Sequence, residues 1–174
     1  MYAASACPRR GFGALSAVTL LLCGCGAVAE VEIAPTVTKD VLQREITDRL
    51  AAAGQAPQSV TCPEDLLGEV GMTARCEVVL SPTNSFEPVI AVTRADGETI
   101  DYEMTPAVSK AQLEQAVSRL AAAPVEAVTC ESGLDGTVGA VAYCDVDAGG
   151  VAVRRTVTVN KVEGLMMNFD LAPL

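Results

Sequence analysis

Two cysteines fourteen positions apart, repeated at a constant interval, constrain this chain more than any other feature. Val60-Thr61-Cys62 recurs as Val128-Thr129-Cys130, Val70-Gly71 as Val138-Gly139, and Cys76 as Cys144, each 68 residues later. A fold for these 174 residues must therefore accommodate two copies of one cross-linked module. Pairing within each copy, Cys62 with Cys76 and Cys130 with Cys144, is the only connectivity that is identical in both copies without joining them. Closing a loop of about fifteen residues contributes roughly 3 kcal/mol in the chain-entropy picture. For a module with so small a core that is a large share of its stability.

Three more of the seven cysteines precede the repeats. Arg9 and Arg10 open a positive segment, and the uncharged run from Gly11 to Leu22 has the length of a signal-peptide core rather than a membrane span. It ends in Leu22-Cys23-Gly24-Cys25, the pattern of a lipobox, with Cys25 as the lipid acceptor because Cys23 would place bulky Leu22 at the cleavage position. Two alternatives stay open: cleavage after Ala27-Val28-Ala29, releasing a soluble chain from Glu30, or an uncleaved anchor. The expected division is a signal peptide over 1–24, a lipidated tether over 25–36, and modules over 37–106 and 107–174. An exported chain meets an oxidising compartment, so the four remaining cysteines should be paired.

Each copy begins as a helix. Thr38 with Asp40, then Leu42, Ile46 and Leu50, form a cap and an apolar stripe that runs into Ala51-Ala52-Ala53 and stops at Gly54. Ser109 with Gln112 forms a capping box, and Leu113, Val117 and Leu120 form the second stripe, ending before Pro124. Strands are expected over Ser59–Cys62, Ala74–Leu80, Val89–Arg94 and Thr99–Met104, and again over Val125–Cys130, Ala142–Asp147, Thr156–Lys161 and Leu165–Leu171. Asp96-Gly97 and Glu163-Gly164 read as hairpin turns, Gly149-Gly150 as a tight turn, Ser81–Pro88 as a longer loop, and the surroundings of Leu66 and Leu134 as turns or small helical segments. The fold class is thus α+β: two tandem modules, each with one helix on a roughly four-stranded antiparallel sheet and one internal disulfide.

Val60-Thr61-Cys62-Pro63, Leu66, Val70-Gly71 and Cys76-Glu77-Val78, followed by a hairpin, resemble a domain-of-unknown-function family of actinobacterial, particularly mycobacterial, exported proteins and lipoproteins. The likeness extends over roughly residues 37–173. In the second copy Glu131 stands in place of Pro63, and Ser132-Gly133 lengthens the local spacing. The resemblance implies a fold and a compartment but no reaction, ligand or catalytic residue.

The chain contains no histidine, which removes Ser-His-Asp and Cys-His nucleophile systems and the commonest metal ligand. Without residues 1–24 it carries 10 basic and 22 acidic side chains, a net charge of −12, which repels phosphate backbones and argues against nucleic acid. Beyond residue 24 the lysines are Lys39, Lys110 and Lys161, of which Lys39 and Lys110, in first helical turns, read as solvated. Asp101 with Glu103, and Asp145 with Asp147, sit at strand alternation; either pair could be a catalytic dyad, but each also fits the wet face of a half-exposed strand. Asp145 to Gly150 has the opening of a calcium loop but lacks its later ligands. Met166-Met167 beside Phe169 reads as core or a damp edge before it reads as a pliable binding surface. No cofactor is expected.

The expected role is that of an exported, lipid-anchored, non-catalytic binding or structural module on the outer face of the membrane. Its partner would be an envelope protein or a small envelope ligand, received on a sheet face, a strand edge or the groove between modules. Two alternatives remain: an inhibitor of a secreted enzyme, using the tip Thr83-Asn84-Ser85-Phe86, and a carboxylate-based envelope hydrolase.

Overall fold

The computed structural model describes residues 34–121 and 124–173, so Cys25 and both candidate cleavage sites lie outside the described residues. By its contacts the chain divides into Met1–Glu32 and Ile33–Leu174.

The first repeat runs β1 (Thr36–Val37), α1 (Lys39–Ala52), β2 (Ser59–Thr61), β3 (Leu66–Leu67), β4 (Thr73–Arg75), β5 (Glu77–Ser81), β6 (Asn84–Phe86), β7 (Val89–Asp96) and β8 (Thr99–Thr105). The second runs β9 (Ala107–Val108), α2 (Lys110–Leu120), β10 (Ala127–Cys130), β11 (Leu134–Asp135), β12 (Val141–Ala148), β13 (Val151–Glu163) and β14 (Met166–Pro173). Leu42, Ile46 and Leu50 are buried along α1, as their spacing requires, and Leu113 and Val117 along α2. Leu120, expected in the second stripe, is instead 56% exposed, because α2 ends there. The capping box at Ser109 and Gln112 forms as expected. Thr38 makes no side-chain cap, and the free Lys39 N–H of α1 donates to the Asp65 carboxylate instead (2.8 Å).

The turn-like segments around Leu66 and Leu134 are in fact two-residue strands, β3 pairing β1 and β11 pairing β9. Both are followed by a glycine where backbones nearly touch. Gly68 N–H donates to Pro35 O and Gly136 N–H to Pro106 O, each at 2.7 Å. A Cβ on Gly68 would lie 2.6 Å from Pro35 O, and one on Gly136 would overlap Pro106 O outright. Gly71 and Gly139 then reverse the chain at φ of 90° and 89°, a region closed to most side chains.

The second repeat builds one antiparallel sheet in the order β10-β12-β13-β14. The first splits the same plan into two three-stranded sheets, β2-β5-β6 and β4-β7-β8. Proline causes the split. Arg155 lies opposite Cys144 in the middle of long β13, and the corresponding place beside Cys76 is held by Pro88. Cys76 N–H still donates to Pro88 O at 3.2 Å, but proline has no N–H to return, so the ladder breaks and β6 and β7 separate. The expected loop Ser81–Pro88 is therefore partly strand, with Phe86 opposite Val78.

Disulfides join Cys62 to Cys76 and Cys130 to Cys144, the pairing that duplication demands. Cys130 and Cys144 face one another across β10 and β12. In both repeats the helix holds this strand end by a side chain that sequence reading missed: Cys62 N–H donates to Gln43 Oε1 and Cys130 N–H to Glu114 Oε1, each at 3.0 Å. Removing the acceptor leaves a half-buried N–H without its partner. Glu114→Ala should cost about 1–3 kcal/mol, read as a shift in urea midpoint at constant slope. An unchanged midpoint would mean that water replaces the carboxylate at no cost.

The buried apolar residues of the two repeats form one continuous cluster, from Leu42, Ile46 and Ile90 to Leu113, Val117 and Val157. Strand β8 passes through buried Pro106 directly into β9. Besides the Gly136 N–H to Pro106 O bond, the seam is crossed by Glu87 N–H to Ala107 O (2.7 Å) and Gln112 Nε2 to Ser85 Oγ (3.2 Å).

Candidate functional site

The sequence's candidate acids do not come together with other polar groups in a cleft. Asp101 and Glu103 are exposed on the outer side of β8, alternating with half-buried Tyr102 and Met104. Asp145 is exposed beside Arg154 at 3.6 Å. Arg154 also pairs with Glu131 and covers the Tyr143 ring at 5.1 Å, as befits a wet sheet face. Asp147 lies at the end of the same strand, with Oδ1 lacking a hydrogen-bond partner. Lys39, Lys110 and Lys161 are exposed, the last two beside Glu114 (3.9 Å) and Glu163 (3.0 Å). Among the described residues no three His, Cys, Asp or Glu side chains gather as metal ligands would. The proposed contact tip is not a free loop: Phe86 is in the core and Ser85 is bonded across the seam.

Of the concavities among the described residues, one lies between the repeats. Two adjoining cavities, of about 470 and 200 Å³, share Asn84, Ala116, Arg119, Met167, Asn168 and Phe169. One wall is helix α2, another the hairpin of β13 and β14, and the third the β5–β6 hairpin of the first repeat. The smaller cavity runs inward to Leu80, Phe86, Leu165 and Met166, and the larger opens past Leu120, Asn160 and Asp170. The lining is mixed: apolar side chains alternate with amides, the Ser85 hydroxyl and one guanidinium. Met166 and Met167 are half-buried, packing on the core from one side and lining this groove from the other.

The reason for the groove is visible in the first repeat. There, Tyr102 on β8 lies opposite Val92 and donates its hydroxyl to the Glu45 carboxylate on α1, which also accepts from Arg49 Nε (3.1 Å) and Nη2 (2.6 Å). The three side chains bridge helix and sheet. In the second repeat Phe169 lies opposite Val159, just as Tyr102 lies opposite Val92, and both pairs are followed by a bulge. Counted from the helix caps Thr38 and Ser109, the places of Glu45 and Arg49 are taken by Ala116 and Leu120. Tyrosine, glutamate and arginine have become phenylalanine, alanine and leucine, and the bridge is replaced by open space. Aligning the two copies with separate registers for helix and hairpin would have shown this joint replacement from sequence. The single interval of 68 concealed it.

Protonation of the bridge has a definite sign. Burial raises the Glu45 pKa, but the Tyr102 hydrogen bond and then the Arg49 hydrogen bond and charge outweigh it, holding the carboxyl below its ordinary 4.5. Burial, then the hydrogen bond to Glu45 and its negative charge, push Tyr102 from 10.0 up to about 12. The Glu45 contribution is therefore present above pH 4.5 and lost as pH falls through the lowered value. The Tyr102 contribution is complete below pH 10.0 and lost as pH rises through about 12. Glu45→Gln should flatten the acid limb of a plot of Tm against pH relative to the unsubstituted protein. Parallel acid limbs would show that the bridge is not coupled to folding.

A family described as Domain of unknown function (DUF4333) matches the chain twice, over residues 20–97 and 99–164. The chain belongs to this family and carries two tandem copies of its domain. No curated protein and no solved structure matches it.

Proposed function

We propose that this double-domain member of the family is an exported, non-catalytic binding protein, held at the outer face of the membrane by lipid on Cys25, and that the groove between its repeats is the binding site. The observation that carries the reading is the groove itself: a trough of mixed apolar and polar lining, lying where the first repeat has a side-chain bridge. Concave, mostly apolar sites with a few convergent polar groups are the usual form of small-ligand sites. Export is supported by the Arg9-Arg10 segment, the apolar run to Leu22, the Cys25 lipobox and two disulfides of the kind that persist in oxidising compartments. The actinobacterial lipoproteins that the repeat motifs resemble occupy that compartment too. The acid pairs Asp101 with Glu103 and Asp145 with Asp147 do not line the groove.

Intact-mass measurement on protein taken from its native membrane tests the anchoring. The expected species begins at Cys25, carries an acylated glyceryl adduct there, and is lighter by the four thiol hydrogens of two disulfides. A chain beginning at Glu30 would leave a soluble binding protein. Recovery from the cytosol with free thiols at 62, 76, 130 and 144 would overturn the reading.

A further inference from the structure

We propose that the groove takes a single-chain amphiphile ending in a carboxylate, with the apolar chain directed inward and the carboxylate beside Arg119; this rests on the binding reading above. The inner cavity presents Leu80, Phe86 and Leu165 beside the polar side chains of Ser85 and Gln112, and Met166 supplies an adaptable wall. At the rim, Arg119 lines both cavities and forms no ion pair among the described residues. Among the described residues its one hydrogen bond beyond the side chain is from Nε to the Gln115 carbonyl (3.4 Å), and the Nη donors meet no acceptor there.

The first repeat indicates which group belongs there. At the place equivalent to Ala116 it holds the carboxylate of Glu45 between an arginine and a sheet side chain. In the second repeat Ala116 and Leu120 stand at the places of Glu45 and Arg49, while Arg119, at the place of exposed Asp48, lines the groove, so a ligand carboxylate there supplies the group that Glu45 supplies in the first repeat. Asn84 and Asn168, which also line both cavities, supply amide donors. Asp170 lines only the outer cavity and disfavours a doubly charged head through repulsion.

Calorimetric titration of the purified full-length protein in detergent-free buffer, with laurate, dodecanol and dodecyl phosphate as probes, decides the matter. Laurate should saturate at one equivalent and bind more tightly than either of the others. Arg119→Gln should weaken laurate about tenfold, the value of one charged hydrogen bond, and leave dodecanol unchanged. Ala116→Glu, which installs the carboxylate that the first repeat has at the equivalent place, should abolish laurate binding, with folding verified by an unchanged circular dichroism spectrum. The proposal fails if laurate does not saturate, if neither substitution alters its binding, or if dodecanol or dodecyl phosphate binds as tightly. Such a failure would leave the intact-mass result at Cys25 untouched, so anchoring and ligand class are judged separately.

Discussion

Replacing Cys62 and Cys76 together by alanine should lower the unfolding free energy by about 3 kcal/mol, and by more than the same replacement at Cys130 and Cys144. Both bonds close loops of equal length, with a sequence separation of 14, so the chain-entropy contributions are the same. What differs is the native sheet around them. Cys144 lies inside β12, which is paired continuously with β10 on one side and β13 on the other. Cys76 lies at the break between β4 and β5, where Pro88 supplies an acceptor and no donor. With the 62–76 bond gone, the break between the two small sheets of the first repeat is spanned by the backbone, the single Cys76 N–H to Pro88 O bond and core packing. Urea unfolding of the two double variants measures the difference. Equal losses would show that the ladder around Cys144 adds nothing beyond the cross-link.

Gly136→Ala should be comparably damaging, at about 3 kcal/mol, the upper part of the range for overpacking. A methyl group there overlaps the Pro106 carbonyl oxygen and two more atoms of the same proline. These are backbone and ring atoms that cannot swing aside, and relieving the overlap breaks the Gly136 N–H to Pro106 O bond that holds the junction between the repeats. Gly139→Ala is the control. Its φ is 89°, but an added Cβ meets nothing within 4 Å, so only the left-handed backbone cost of about 1–2 kcal/mol applies. The two variants should separate clearly in thermal unfolding. A milder effect at Gly136 than at Gly139 would mean that the junction yields, and that the close approach of β9 to the chain after β11 is not required.

Much of the fold was legible because its signals are local or repeated. The helical stripes follow from spacing along a few turns, the capping box from two residues three apart, and the cysteine pairing from the symmetry of the copies. The errors have identifiable physical causes. Leu66 and Leu134 are strands because β1 and β9, distant in sequence, lie beside them. The expected loop after Ser81 became β6 because β5 offers it a partner. Leu120 is exposed because the helix stops before packing can cover it. In each case a tertiary neighbour, or its absence, outweighed the short-range pattern.

By itself the sequence determined a duplicated α+β unit, its two cross-links, the two helices and the absence of histidine chemistry, since each depends on residue identity at short or repeated spacing. It did not locate the groove. Ala116 and Leu120 come from the helix, Phe169 from a hairpin some fifty residues later, and Asn84 from the other repeat. Only packing α2 against the β13–β14 hairpin and the β5–β6 hairpin brings them around one cavity. Space left by side chains that are too small is a property of the assembled surfaces, and no single segment of the chain encodes it.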